Sequence, residues 1–226
     1  MKITYLYHSG VIVELSSHIL IFDYWKGKLP KLPCDKTICV FVSHAHDDHY
    51  QPAIFKLLSY CRDVTYIFAQ DILAPFPYYA CGKNETHYIK DLKVTTFASN
   101  DEGVAFLVSV EGKQIYHSGD LHLWNWPCEN EADRRFLIWQ RQVFEEAMQK
   151  LHDCSIDVAF YPIDPRLEAQ TLDGIHAFRK AVFAKHVIAI HFADRINEVK
   201  AMIAQDPLLQ ADQGLHVLMP NESITL

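Results

Sequence analysis

The stretch Ser43-His44-Ala45-His46-Asp47-Asp48-His49 decides the fold assignment, because it places three histidines and two aspartates within seven residues. It directly follows residues 38–42 (Ile-Cys-Val-Phe-Val), a short apolar run typical of a buried strand. Loops at the carboxyl ends of strands carry the functional groups of many α/β proteins. Imidazole nitrogens and carboxylate oxygens ligate zinc and similar divalent ions. The stretch therefore predicts a metal-binding loop rather than a solvated polar turn.

Strand and helix patterns extend in both directions from this loop. Alternating residues on both sides of His8-Ser9-Gly10 predict a hairpin of residues 2–7 and 11–15. A block of strands is followed by strand–helix alternation, which predicts sheets covered by helices, an α/β layered fold. The further predicted strands are 18–24, 38–42, 64–69, 88–97, 104–110, 113–117, 156–161, 187–191 and 215–219, and the predicted helices are 51–60, 131–151, 171–184 and 195–204.

The composition restricts the class of protein. The 226 residues are 50% apolar and 22% charged, which is normal for a globular chain that buries its own core. The net charge of −7 argues against a nucleic-acid partner, because phosphate contacts need clustered Lys and Arg. No apolar run approaches the length of a membrane span, and the first residues do not resemble a signal peptide. We therefore expect a single cytoplasmic domain over residues 1–226, with its homo-oligomeric state left open.

Six cysteines could form three disulfide bridges, but the sequence contains no Cys-x-x-Cys pair, and its first residues do not resemble a secretion signal. Free thiols are expected in such a chain, and a thiolate zinc site is not. The cysteines are Cys34, Cys39, Cys61, Cys81, Cys128 and Cys154.

Two later segments also combine an apolar strand with a polar terminus. One is Tyr116-His117-Ser118-Gly119-Asp120, and the other is residues 187–192 (Val-Ile-Ala-Ile-His-Phe), which contains His191. Together with the first loop they resemble the metallo-β-lactamase superfamily, whose His-x-His-x-Asp-His signature matches residues 44–49. The resemblance implies a four-layer αβ/βα sandwich with its metal site at the edge between the two sheets. It also implies the metal ligands His44, His46, Asp48, His49, Asp120 and His191, with Asp120 bridging two ions and Asp23 supporting the loop from behind.

Within that superfamily, several details resemble the branch of ascorbate-6-phosphate lactonases and related hydrolases. These details are His8-Ser9-Gly10, the segment 115–120 (Ile-Tyr-His-Ser-Gly-Asp), and Tyr161-Pro162-Ile163 followed by Gly174.

The chain departs from the superfamily pattern at the third histidine of the first metal site. Residues 98–103 read Ala-Ser-Asn-Asp-Glu-Gly and contain no histidine. Asp101 could replace it, since a carboxylate is an acceptable ligand. Alternatively Asp101 is a turn residue, and the first site is weaker or empty. We expect one or two zinc ions per chain, with manganese or iron as alternatives.

Other residues have weaker claims to the site. Three candidates for substrate binding are His8, His122 and Arg166. The alternative for each of them is a structural role. A helical insertion around residues 121–151 carries Trp124, Trp126 and Trp139, for which packing onto the sandwich is favoured over lining a pocket.

The resemblance implies a metal-dependent hydrolase in which a metal-bound hydroxide attacks the substrate and Asp48 orients it. Asp48 and Asp120 are the predicted catalytic residues. The predicted substrate is a small ester, lactone or phosphodiester, anionic if Arg166 binds it. The alternative is a catalytically silent binding or scaffold protein, and the missing histidine would then be a sign that catalysis has been lost. Retention of six ligand residues argues against that alternative.

Overall fold

Two seven-stranded sheets form the protein in a computed structural model that describes residues 1–226. The strands of the first sheet, in spatial order, are β14 (Ser223–Thr225), β1 (Lys2–Tyr7), β2 (Gly10–Glu14), β3 (His18–Phe22), β4 (Thr37–Val42), β5 (Val64–Ala69) and β6 (Tyr79–Cys81). Strands β3 to β6 pair in parallel, and the other pairs are antiparallel.

The strands of the second sheet, in spatial order, are β13 (Leu215–His216), β12 (Ala184–Ile190), β11 (Ile156–Pro162), β10 (Lys113–His117), β9 (Val104–Val110), β8 (Leu92–Ala98) and β7 (Thr86–Ile89). Its pairs are parallel from β10 to β13 and antiparallel from β7 to β10. In both sheets the parallel strands direct their carboxyl ends to one edge, which is where the polar loops gather.

Five helices and one 3₁₀ segment complete the chain. They are α1 (Ala53–Leu57), α2 (Glu131–Leu151), the 3₁₀ segment Pro165–Gln170, α3 (Asp173–Ala181), α4 (Ile196–Gln205) and α5 (Pro207–Ala211). The long helix α2 begins after Asn130, whose side chain accepts the N–H groups of Ala132 and Asp133. None of the helices combines the length and the apolar character that crossing a membrane requires.

The sheets pack face to face, with helices on their outer faces. Phe160 of β11 contacts Phe22 of the first sheet, while the next residue, Tyr161, stacks on Phe178 of α3. Because successive residues of a strand point to opposite faces, β11 lies between the other sheet and a helix. On the opposite side, Phe68 of β5 contacts Phe55 of α1. The predicted α/β sandwich is confirmed.

The structure differs from the sequence prediction mainly at short or edge elements. The predicted strand 88–97 is the hairpin of β7 and β8, which reverses at Lys90, where the backbone φ is 54°. The predicted helix 171–184 ends at Ala181, because Val182 is already extended toward β12. The short strands β6 and β14 were not predicted, since a three-residue edge strand leaves no clear alternation in the sequence.

One disulfide bond corrects the expectation that all six cysteines are free. Cys34 and Cys61 are bonded, with their Cα atoms 5.1 Å apart, whereas Cys39, Cys81, Cys128 and Cys154 are free. Cys34 lies shortly before β4 and Cys61 shortly before β5. These two strands are parallel neighbours, so the loops that enter them meet at the same edge. A separation of 27 residues does not reveal this proximity in the sequence.

Candidate metal centre

The histidine-rich loop is anchored to the neighbouring strand β3 through Asp23. Asp23 is fully buried, and its carboxylate accepts the backbone N–H of Ser43 at 2.8 Å and the Ser43 hydroxyl at 2.6 Å. Its backbone has a φ of 43°, a region that a non-glycine residue seldom adopts without support from its surroundings. Because β3 and β4 are parallel neighbours, Asp23 lies directly behind the loop that follows β4.

Asp120 brings the second sheet to this loop. It follows β10, and its Oδ1 lies 3.1 Å from His49 Nε2 and 3.2 Å from His191 Nε2. Its other oxygen lies 3.6 Å from His44 Nε2. One carboxylate thus faces histidines on both sides, the arrangement that a bridge between two ions requires.

Several atoms of this cluster are buried without any hydrogen-bond partner. They include Asp120 Oδ1 and the Nε2 atoms of His49 and His191. An unsatisfied buried polar group costs about 1–3 kcal/mol, and more if it is charged. Two ligands at 2.0–2.1 Å from one tetrahedral zinc ion are separated by about 3.3 Å, close to the distances observed here. The unsatisfied atoms and their spacing therefore fit a divalent cation.

In His44, His49 and His191, the ring nitrogen Nδ1 is held in place by a neighbour. His49 Nδ1 donates to Asp23 at 2.8 Å, and His191 Nδ1 donates to Asp164 at 3.1 Å. His44 Nδ1 donates to the Ser43 hydroxyl at 2.9 Å, since that hydroxyl already donates to Asp23. This pattern leaves Nε2 of these three histidines on the side of Asp120, as is usual for histidines that bind metals, and His44 Nε2 also lies 3.1 Å from His46 Nδ1. The sequence did not identify Asp164 as a support for His191.

The electrostatics of these side chains also favour a cation. Burial raises the pKa of Asp120, but the positive charges of His191 and His49 outweigh burial and hold it well below its usual range. Burial lowers the pKa of His191, but the Asp120 carboxylate outweighs this effect and raises it to about 9. Burial and the charge of His49 lower the pKa of His44 to about 4, which keeps it neutral. A bound divalent ion would replace the protons around Asp120.

The outer part of the centre contains His46 and Asp101. The side chain of His46 is 44% exposed, and its ligand atom lies within 4.8 Å of those of Asp101 and Asp120. Asn100, in contrast, directs its amide away from this cluster, donating to the carbonyls of His122 and Gln140. In the region without a histidine, two carboxylates reach this part of the centre: that of Asp101, and that of Glu102, whose Oε2 lies 3.5 Å from His46 Nε2.

Two glycines allow the loops to approach each other here. A Cβ at Gly103 would lie 1.9 Å from the Ser43 carbonyl oxygen, and one at Gly119 would lie 2.7 Å from Ser43 Cβ. Both glycines have positive φ. The loops before β9 and after β10 can thus contact the histidine-rich loop only because these positions lack side chains.

The three candidates for substrate binding differ in position. His8 lies at the centre, with Nε2 3.4 Å from Asp48 Oδ2. Arg166 is 57% exposed at its side chain and donates through Nε to both oxygens of Asp164. His122 is fully buried, with its ring packed over Gly174 and contacting Tyr161. His8 and Arg166 therefore border the centre, whereas His122 lies beneath the surface.

The tryptophans of residues 121–151 have separate roles. Trp124 is buried beside His191, and its Nε1 donates to the Asp120 carbonyl at 3.0 Å, which fixes the Asp120 loop. Trp126 stacks on Trp124. The expectation that Trp139 packs onto the sandwich is wrong, because it is 44% exposed and stacks on Phe136 of its own helix.

Comparison with known proteins identifies related sequences and folds. A family model described as "Beta-lactamase superfamily domain" matches residues 2–128. The chain is 27% identical over 237 residues to a UPF0173 metal-dependent hydrolase of Desulforamulus reducens, covering 92% of this chain and 89% of the relative. The metallo hydrolase Igni18 of Ignicoccus hospitalis matches with a TM-score of 0.68 at 18% identity, covering 99% of this chain and 97% of that one.

The diiron β-hydroxylase CmlA of Streptomyces venezuelae also has a TM-score of 0.68, at 11% identity, covering 100% of this chain and 54% of that one. These two structural likenesses concern the fold alone, and none of the three names refers to a lactonase, so the lactonase-like branch stays a prediction. The family model matches more than half of the chain, and the two-sheet fold agrees with it. The protein belongs to the metallo-β-lactamase superfamily.

Proposed function

We propose that the protein is a metal-dependent hydrolase that acts on a small substrate at the centre around Asp120. The observation that carries the proposal is the buried Asp120 carboxylate, which faces imidazole nitrogens that lack hydrogen-bond partners. The metal-dependent hydrolase name of the relative from Desulforamulus reducens supports it.

The candidate ligands divide into two groups around Asp120. Asp48, His49 and His191 lie close enough together to hold one ion. His46 lies beside Asp101 and Asp120 and also beside His44, so we assign His44, His46 and Asp101 to the other ion. Nitrogen and oxygen donors without thiolates suit zinc, and also manganese or iron. When bound, such an ion polarises a substrate oxygen and lowers the pKa of its water from 15.7 to about 7, which supplies a hydroxide nucleophile.

Asp48 is the candidate for positioning the attacking water. Its carboxylate is 40% exposed at the mouth of the centre. Contact with His8 holds the pKa of Asp48 below its usual range, against the effect of partial burial. The carboxylate is therefore ionised at neutral pH, and it can accept a hydrogen bond from the water and orient the lone pair toward the substrate.

The position of Arg166 indicates that the substrate is negatively charged. The hydrogen bonds from Nε to Asp164 hold the guanidinium group in place, while more than half of the side chain remains exposed. Asp164 also holds His191, so a single carboxylate connects the guanidinium to a metal ligand. We therefore propose an anionic ester, lactone or phosphodiester as the substrate class.

A catalytically silent scaffold is the second candidate, favoured by the carboxylate of Asp101 where the superfamily has a histidine. Metal analysis of the purified protein separates the two functions. A hydrolase should carry one or two equivalents of metal, whereas a scaffold with an idle centre should purify without stoichiometric metal.

The test of turnover compares neighbouring carboxylates of the same loop. The protein, loaded with zinc, manganese or iron, would first be screened against lactones, phosphodiesters and esters. Asp48→Asn should then reduce kcat by about 10²-fold or more, the range typical of a positioned acid–base group. The control Asp47→Asn changes an exposed carboxylate outside the candidate ligand groups and should leave kcat unchanged. A folded, metal-loaded Asp48→Asn protein with unchanged turnover would contradict the assigned role.

A further inference from the structure

The turn between β1 and β2 brings His8 into the centre from the N-terminal hairpin. His8 is buried, and its backbone φ of 55° places it in the left-handed region. Its carbonyl accepts the backbone N–H of His191 at 2.9 Å and the Tyr5 hydroxyl at 3.1 Å. These bonds hold the turn against the end of β12 and place the His8 ring 4.1 Å from the His191 ring.

Both ring nitrogens of His8 are buried without a hydrogen-bond partner, as is Nε2 of His49 and of His191. The Nε2 atom of His8 lies 3.4 Å from Asp48 Oδ2, a contact too poorly aligned to count as a hydrogen bond. This distance is close to the separation of about 3.3 Å between two ligands of one zinc ion. The ligand atoms of His8, Asp48, His49 and His191 all lie within 4.8 Å of one another.

We propose that His8 is an additional ligand of the ion held by Asp48, His49 and His191, an inference that rests on the proposed metal-dependent function. With Asp120, this ion then has five protein side chains around it, more than the four of a tetrahedral zinc site. The other group, His44, His46 and Asp101, has a carboxylate where the superfamily has a third histidine, so the ion bound with His8 is the tighter of the two.

A substitution at His8 tests this arrangement with zinc alone as the probe. Asparagine tolerates positive φ and is too short to take the place of the imidazole, so His8→Asn removes the donor while suiting the backbone. The control His18→Asn removes another buried histidine. His18 begins β3, at the end of the strand opposite to Asp23, and bonds to Glu111 and Asp91. Titration of chelator-treated protein should show the tighter zinc site weakened at least about 10-fold in His8→Asn. The control should bind zinc as the wild type does.

A direct measurement on the wild-type protein decides the question even if His8→Asn fails to fold. Nitrogen-15 NMR of the imidazole rings, assigned through the backbone, should show His8 Nε2 shifting together with the His49 and His191 signals as the first equivalent of zinc is added. If the His49 and His191 signals shift and the His8 signal does not, the inference about His8 is overturned while the proposed function stands. His8 is then a contact of Asp48 or of the substrate. A wild-type protein that binds no zinc overturns the proposed function as well.

Discussion

Replacing Asp23 by asparagine should weaken both the fold and the metal centre, although Asp23 does not face the candidate ion. Its Oδ2 accepts hydrogen bonds from the Ser43 hydroxyl at 2.6 Å and from His49 Nδ1 at 2.8 Å. In Asp23→Asn, an amide NH₂ in that position would face two donors, while Oδ1 could still accept the Ser43 N–H. Asparagine also tolerates the positive φ of this position, so the change isolates the carboxylate.

The magnitude follows from the two bonds that are lost. Hydrogen bonds to a charged group contribute about 1.5–3 kcal/mol each, so the free energy of unfolding should fall by about 3 kcal/mol or more at neutral pH. Burial raises the pKa of Asp23, but the charge of His117 and the His49 hydrogen bond outweigh it and lower the pKa. The contribution of Asp23 is therefore complete above its unfolded pKa of about 3.9 and is lost as the pH falls through the lower folded pKa.

The assay combines urea unfolding of chelator-treated protein with a zinc titration against a competing chelator. Loss of the partner that orients a histidine typically costs about 10- to 100-fold in metal affinity. The control Asp157→Asn alters a carboxylate that bonds to the Gln114 N–H and to Lys113 on the second sheet, and its zinc affinity should equal that of the wild type. Wild-type stability together with wild-type zinc affinity in Asp23→Asn would refute the reasoning.

Three further predictions concern other parts of the molecule. Asp101→Ala should weaken only the looser of two zinc affinities in a titration, and two equal affinities untouched by the change would contradict its place in the outer group. Gly174→Ala would place a Cβ 2.1 Å from His122 Cε1, so urea unfolding should show that the free energy of unfolding falls by about 1–3 kcal/mol. Adding His122→Ala should partly restore it, and strictly additive effects of the two substitutions would count against the clash. Because the folded pKa of His191 is raised to about 9, metal-free protein should keep its stability below about pH 6.5 and lose part of it as the pH rises through 9. Urea unfolding across this range checks the loss, and zinc-loaded protein should not show it.

The sequence by itself determined most of the elements and the candidate ligand set. Strands such as 38–42 and 104–110 and the helix 131–151 follow from apolar runs and periodicity, which are local properties of the chain. The loop 43–49 and the termini of β10 and β12 could be recognised because each combines a buried strand with polar residues. Since parallel strands end at the same edge, their convergence followed from the fold class.

Only the tertiary structure decided which partners surround those ligands. The contact of His8 with Asp48, the bond of Asp164 to His191 and the disulfide of Cys34 with Cys61 join residues between 27 and 40 positions apart. Trp124 holds the Asp120 loop, whereas its position in the sequence indicated packing onto the sandwich or, as the alternative, lining a pocket. Such contacts depend on strand register, on positive-φ turns and on the facing of two sheets. A single sequence carries local periodicity but no distances between distant segments, so these partners appear only when the sheets are packed together.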